Sequence, residues 1–465
     1  MKKKILDKGL SLSRYSIFAL FALISTSCSV PCQKPVVVIP PAIVADILPD
    51  YEIKDVRELP QEFGTYVNTS TIKSFDKACR DTLLYEFRRK YYAPWSVSQL
   101  LSNISGSILI MQEHTAKDWY GENKRKVPRK ILDELLANCD LDRFPAMNSM
   151  AIAIVPTSLR VLPTTKPFLE TANDFPFDAL QNAGLKMNEP LRVLHVSADG
   201  LWAFAETADA NGWVPLRDIG FIGERLAAEW TEKVQVVIVK DFAPLRNRQE
   251  QFAVRAKLGT LFPLVGEDEK SYEVSVAVQS GSNGVREIKV RIPKDSARRF
   301  PLEVSGETVA LIGNELIGKP YGWGEYLQGR DCSALLRDFY QPFGLWLPRG
   351  SYNQIHSGRS ISFSGLSPAE KERLIREKGV PFLTIIYMKG HIMLYVGSKD
   401  GKALIFHALW KVKVKNSEGR TIKQPVGKAI VSTLTPGSEL VLASGSLLDK
   451  VSRMLILSNR CGLTH

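Results

Sequence analysis

Cys332 opens a run in which Leu335, Leu336 and Phe339 recur at helical spacing before Pro342 and Gly344 end it. The loop before it, "LIGKPYGWGEYLQGRD", is rich in glycine and aromatic residues, so the thiol falls at a helix N-terminus. There the unsatisfied N–H groups and the macrodipole favour the thiolate, the nucleophilic form of cysteine. A buried structural cysteine on the apolar stripe would account for this segment alone equally well. A nucleophilic thiol needs a base, and two histidines follow in strand-patterned text. "GHIMLYVG" puts His391, Met393 and Tyr395 on one strand face, and "ALIFHALW" puts Ile405, His407 and Leu409 on one face of the next, with "GSKDG" as the turn. If Val396 pairs with Lys402, pair numbers sum to 798 and His391 stands opposite His407. Any even sum keeps both imidazoles on one sheet face. One can then act as base while the other orients it. Either histidine alone reads as a core or edge residue; two on one face, after a helix-start cysteine, point to acyl transfer. No GxSxG elbow and no GKS or GKT phosphate loop competes. Without a CxxC or HxxxH pair, no metal or other cofactor is expected.

Stepping outward from the cysteine, residues 301–465 read as helix first and strands after, an α+β domain. Residues 46–150 hold helical-period segments such as "SFDKACRDTLLYEFRRKYYAPW" and predict a helical N-terminal domain. Between them the texture is β. Residues 151–220 alternate short apolar runs with turns expected at Asp199-Gly200 and Asn211-Gly212, and residues 221–300 repeat that texture. Two small β-barrels in tandem are the expectation.

The chain is 465 residues long, 45% hydrophobic and 24% charged, which excludes disorder, collagen and a many-span membrane protein. Residues 1–27 hold five basic residues and one acid, a net of +4, so a chain trimmed at Cys28 falls from +12 to +8. That balance, with no Lys/Arg run, does not suggest a nucleic-acid partner; it suits an anionic envelope or acidic small substrates. Lys2, Lys3, Lys4, Lys8 and Arg14 precede an apolar stretch from Ile17 to Ile24, then "STSCSV". This is too short to span a bilayer and reads as a signal peptide over 1–27. It resembles a bacterial lipobox, departing from it at Ser25, and Cys28 would be acylated and become the new N-terminus. Residues 28–45 are Pro-rich and read as an extended tether. Cys79 and Cys139 fall in one helical region and are close enough in pattern to bridge, although nothing in their spacing requires it.

The order "DCSALLRDFY…LPRGSYNQ", "GHIMLYVG" and "IFHALW" resembles the NlpC/p60-type cell-wall cysteine peptidases, and "PYGWGEYLQGRDCS" is close to their active-site loop. "YYAPW", "LRVLPT" and "GKAIVSTLTPGSE" are similar to a subgroup with a helical N-terminal domain and two bacterial SH3 (SH3b) domains before a papain-like α+β catalytic domain. The resemblance implies hydrolysis of the γ-D-glutamyl–diamino acid bond in peptidoglycan stem peptides or muropeptides. It makes Cys332 the nucleophile, His391 the base and His407 the orienting residue. Asp331, with Ser333 beside it, would bind the free amine of an N-terminal L-Ala while capping the helix. Tyr321 and Trp323 would line the cleft, Tyr321 as an oxyanion donor beside the Cys332 N–H. Glu189 would reach in from the first SH3b domain; a tyrosine found in some relatives is Ala210 here. The resemblance places the protein in the bacterial cell envelope, lipid-anchored on the periplasmic side. The competing expectation is a catalytically weak wall-binding lipoprotein acting through its SH3b domains.

Overall fold

Apolar runs in the last third of the chain pair into a six-stranded antiparallel sheet, seen in a computed structural model that describes residues 52–67, 75–96, 103–247, 252–281, 283–416 and 418–458. The strand order is Ser360–Ser362, Arg453–Ile456, Thr384–Met388, His391–Lys399, Lys402–Lys415 and Thr421–Thr433. The helix Cys332–Tyr340 packs across the two histidine strands and buries Leu335, Leu336 and Phe339. Asp400 and Gly401 join those strands with φ of 51° and 74°, the two-residue hairpin geometry whose twist matches that of the strands.

The register departs from the expected one. Lys399 pairs with Lys402, a bulge follows between Tyr395 and Gly397, and beyond it Leu394 pairs with Phe406, so pair numbers sum to 800. His407 is therefore level with position 393 rather than with His391. Because the sum stays even, both imidazoles still occupy one face.

Each stretch expected to be a barrel supplies seven short strands among the described residues, within Ser149–Phe221 and Gln235–Arg299. The first closes over Ala151, Leu159, Leu191 and Val214, the second over Val236, Phe262, Val274 and Ile292. Asp199-Gly200 is a turn, with Gly200 at φ 72°. Asn211-Gly212 instead starts the strand Asn211–Pro215. A Cβ on Gly212 would lie 2.6 Å from the Arg160 carbonyl oxygen, so close approach, not a turn, requires this glycine.

The helices expected at 46–150 are present as Lys54–Glu58, Lys77–Tyr91, Ile104–Ala116 and Arg129–Asn138, but they divide between two cores. Phe63 sits inside the core of the last domain, its ring 5.9 Å from those of Phe339 and Phe382 and 4.7 Å from that of Phe406. Met111, Trp119 and Leu132 instead join Leu162, Phe168 and Trp213 of the first barrel. Neither piece is large enough to bury a core of its own, so each completes a neighbour's.

Cys139 is buried and free, so the bridge to Cys79 that the pattern allowed is not made. Cys79 is disulfide-bonded. The signal segment and Cys28 also lie outside them. Among the described residues no helix is long and apolar enough to cross a membrane.

Candidate active site

Asp331 caps the helix that begins with Cys332, its Oδ1 accepting the Ala334 N–H at 2.8 Å. The cap sets the helix start at the cysteine and leaves the first-turn N–H groups without intrahelical partners. The Ile392 amide, next to His391 in the chain, donates to the Cys332 sulphur, and so does the Ser333 amide.

Behind the thiol runs a directional hydrogen-bond line. Ser432 Oγ donates to the Thr433 carbonyl at 2.7 Å, which commits its only proton. Toward His407 Nε2, 3.0 Å away, Ser432 can therefore only accept. His407 then carries its proton on Nε2 and presents Nδ1 as an acceptor to His391 Nε2 at 2.8 Å. That assignment leaves the lone pair of His391 on Nδ1, the nitrogen available to take a proton from the thiol. His407 and Ser432 are fully buried. Asp55 anchors the end of the line, accepting from both the Thr433 N–H at 2.7 Å and its hydroxyl at 2.8 Å. The N-terminal segment thus braces the catalytic strands.

Burial decides the resting protonation. It pushes the Cys332 thiol up to about 12, with the Asp331 charge adding to the effect and the two amides and Arg349 opposing it. Burial likewise pushes His391 down to about 4, against the attraction of Asp331, and holds His407 well below the ordinary histidine range. The helix start alone predicts a thiolate, but Cys332 is only 9% exposed, and desolvation outweighs the dipole. Burial thus favours a neutral thiol and a neutral imidazole at rest over an ion pair.

A cleft of about 480 Å³ is lined by Asp331, Cys332, Ser333, Tyr321, Trp323 and His391, all of them expected site residues. His407 stands behind His391 and does not line it. Burial, with the Asp331 and Cys332 charges, raises Tyr321 far above the ordinary phenol range, so its hydroxyl keeps the proton it would donate. Trp323 is 42% exposed and packs 5.4 Å from Phe177.

Glu189 is not in the cleft. It is half-buried, and its Oε2 accepts the Lys186 N–H at 2.8 Å, closing a local turn at the barrel junction. The acid that the first barrel presents to the cleft is Asp209, whose Oδ2 accepts the Arg349 N–H at 2.7 Å. Arg349 had no sequence-level assignment. Its Nη1 and Nη2 meet Asp331 Oδ1 and Oδ2 at 3.0 and 2.8 Å, and Nη1 also reaches Ser333 Oγ at 2.7 Å. Asp331 further accepts from Ser333 Oγ and from the Gly324 N–H. Its carboxylate is thus saturated and charge-balanced, and it is held well below the usual carboxylate range, against burial, by Arg349 and these donors.

The cleft loop is held by both barrels. Gly324, Glu325, Leu327 and Gln328 have φ of 57°, 68°, 51° and 61°, left-handed values that are unfavourable at the three non-glycine positions. Glu325 is buried and pairs with Arg337 at 2.9 Å, with Lys257 of the second barrel at 3.0 Å, and with the Gly184 N–H of the first barrel at 3.2 Å. Asp338, on the nucleophile helix, takes Lys186 of the first barrel at 2.7 Å and Arg330 at 2.7 Å. Arg330 in turn grips Asp241 of the second barrel at 2.7 and 2.8 Å. Among the described residues no group of three or more His, Cys, Asp or Glu side chains is placed to hold a metal ion.

Comparison with known proteins assigns residues 17–144 to the NLPC_P60 N-terminal stabilising domain and 166–215 to an SH3 domain of SH3b1 type. Residues 224–269 match an SH3 domain of SH3b2 type, and 318–431 match the NlpC/P60 family. A probable endopeptidase from Corynebacterium glutamicum (strain R) is 26% identical over 118 residues, 25% of this chain, and the match spans about half of that relative's length, 49%. The structure of an NlpC/P60 endopeptidase from Photobacterium damselae subsp. piscicida superposes with a TM-score of 0.79 at 21% identity, covering 89% of this chain and 99% of that one. An NlpC/P60 family protein from Bacillus cereus gives a TM-score of 0.42 at 18% identity, covering 66% and 100%. The four matched regions follow one another in the order that the fold displays, and the chain belongs to the NlpC/P60 family, with its N-terminal stabilising domain and two SH3b barrels.

Proposed function

We propose that this protein is a cysteine endopeptidase that hydrolyses the γ-D-glutamyl–diamino acid bond of peptidoglycan stem peptides carrying a free N-terminal L-Ala. The observation that carries this reading is the line from Ser432 through His407 to His391, which leaves Nδ1 of His391 free as a base in an open cleft that Cys332 also lines. In the reaction, His391 Nδ1 takes the thiol proton as sulphur adds to the scissile carbonyl. The Cys332 N–H and the Tyr321 hydroxyl receive the developing oxyanion. The His391 imidazolium then gives its proton to the departing amine, leaving a thioester that water hydrolyses with the same histidine as base.

Amine recognition falls chiefly to Asp209. Asp331 already spends its lone pairs on the helix cap, Ser333, Gly324 and Arg349, whereas Asp209 is partly exposed in the cleft wall. Asp331 holds Arg349 and Ser333, and through them the wall that Asp209 faces. Anchoring by acylated Cys28 would keep the enzyme at the periplasmic face of the envelope.

Product mass spectrometry with L-Ala-γ-D-Glu-meso-diaminopimelate and its N-acetylated form tests the substrate. Cleavage of the free-amine peptide, with KM raised about tenfold or more by acetylation or by Asp209→Asn, is the expected result. Equal rates on the two peptides would remove the amine from the account.

A further inference from the structure

The hairpin formed by Lys402–Lys415 and Thr421–Thr433 extends beyond the sheet. One of its faces is packed: Val414 and Gln424 are buried, and Val412 and Val426 pack against the cluster of Ile53, Val56, Leu409 and Ile430. This fixes the other face outward, and that face carries Lys411, Lys413, Lys415 and Lys423. None of the four has an ion-pair partner among the described residues. Lys413 and Lys423 are directly paired across the strands, a placement of like charges that destabilises a sheet. Elsewhere the hairpin balances its charges, as in Arg420 with Glu418 and Lys428 with Glu52.

This unpaired face adjoins the cleft. The Lys411 ammonium lies 5.4 Å from the centre of the Phe177 ring, and Phe177 packs against Tyr321 at 6.1 Å and Trp323 at 5.4 Å, both of which line the cleft. Partial burial and the neighbouring ammoniums of Lys423 and Lys413 lower the Lys411 pKa, with Asp174 opposing. From Lys411 to Lys415 the face runs about 14 Å at strand rise, more than a single carboxylate spans. The cleft therefore has Asp209 in its wall, and a basic face beginning at Lys411 lies one aromatic ring, Phe177, beyond its lining.

We propose that Lys411, Lys413 and Lys423 form an anion subsite that extends the cleft and takes the free carboxylates of the peptide whose amine the acidic wall reads. The ligand class is a short zwitterionic peptide with several carboxylates, in preference to one whose carboxyl groups are amidated or cross-linked. Contiguity with Phe177 and the cleft aromatics favours a cleft ligand over a lipid surface. The identity of the peptide rests on the peptidase reading above; the charge preference does not.

Titration calorimetry on the full chain carrying Cys332→Ala, which prevents turnover, reads the subsite directly. The probes are L-Ala-γ-D-Glu-meso-diaminopimelate as the free acid and with its diaminopimelate carboxyls amidated. The acid should bind about tenfold tighter at low salt, and a Lys411→Gln/Lys423→Gln variant should erase that difference while leaving the amide's affinity unchanged. Equal affinities, no binding of either peptide, or a difference that survives the double substitution overturns the subsite. Retained discrimination, together with loss of sedimentation on phosphatidylglycerol vesicles in the double variant, overturns it in favour of a lipid surface. If wild type binds with the expected preference but cleaves neither peptide, the peptidase reading fails and the subsite stands. Cleavage with no charge preference has the opposite meaning.

Discussion

His391 Nε2 and His407 Nδ1 lie 2.8 Å apart, and the proton between them belongs to His391 because Ser432 Oγ has committed its own proton to the Thr433 carbonyl. Orientation and tautomer of His391 are thus fixed by groups behind the cleft lining rather than in it.

The first prediction follows from that polarity. His391→Ala should lower kcat by about 10³-fold or more, because the base is gone. His407→Asn should retain more activity than His407→Ala, since an amide oxygen can still accept from Nε2. Ser432→Ala should cost about tenfold in kcat with little change in KM, and Ser432→Thr should recover most of it. Steady-state kinetics on the five variants check this; a Ser432→Ala enzyme with wild-type kcat would show that the line does not set the tautomer.

The second concerns pH. Burial pushes His391 down to about 4 and the Cys332 thiol up to about 12, so the competent neutral pair persists across the neutral range. The acid limb of kcat/KM should therefore lie below the ordinary histidine value of about 6.5, with activity largely retained at pH 5.5. The same shift has a stability consequence. Between the folded and unfolded values the unfolded chain binds more protons at His391 and His407, so stability is full above about 6.5 and falls as pH drops toward the folded value. Thermal melts from pH 7 to 5 should show that decline. An acid limb at or above 6.5 would contradict the lowered His391 value, and loss of activity on the alkaline side by the ordinary cysteine value of about 8.5 would indicate a thiolate–imidazolium pair instead.

A third prediction addresses the joints between domains. Lys257→Met leaves Glu325 with one fewer counter-charge in a buried site and should destabilise the whole chain by about 3 kcal/mol. Urea unfolding should show a single shifted transition. A separately melting second barrel, with the cleft unaffected, would mean that the barrels hang on the catalytic domain rather than hold its loop.

What the sequence disclosed follows from which periods it carries. Helical spacing placed Cys332 at a helix start, and strand alternation put His391 and His407 on one face, since parity survives any even register. The register itself was hidden because the bulge between Tyr395 and Gly397 leaves no mark in the apolar pattern. Asp209 was out of reach because its place in the cleft shows only in its contact with Arg349, 140 residues away, and Arg349 because no periodicity couples it to Asp331, 18 residues before it. Glu189 and Asp209 are both acids of the first barrel, and only the folded turns show which one faces the cleft. The packing partners of the N-terminal helices were hidden for a related reason. Helical periodicity reports an apolar face but not its partner, and the N-terminal segment buries Phe63 in a core formed some 280 to 340 residues further on.

Intact-mass and product analysis of the wild type beside Cys332→Ala tests the central claim most directly. With L-Ala-γ-D-Glu-meso-diaminopimelate, the wild type should release L-Ala-γ-D-Glu and free diaminopimelate. The variant should lose at least about 10³-fold in rate, roughly 4 kcal/mol in the barrier, while unfolding as the wild type does. Turnover by Cys332→Ala at the wild-type rate, or cleavage at another bond, would contradict the assignment of Cys332 as the nucleophile of a γ-D-glutamyl peptidase.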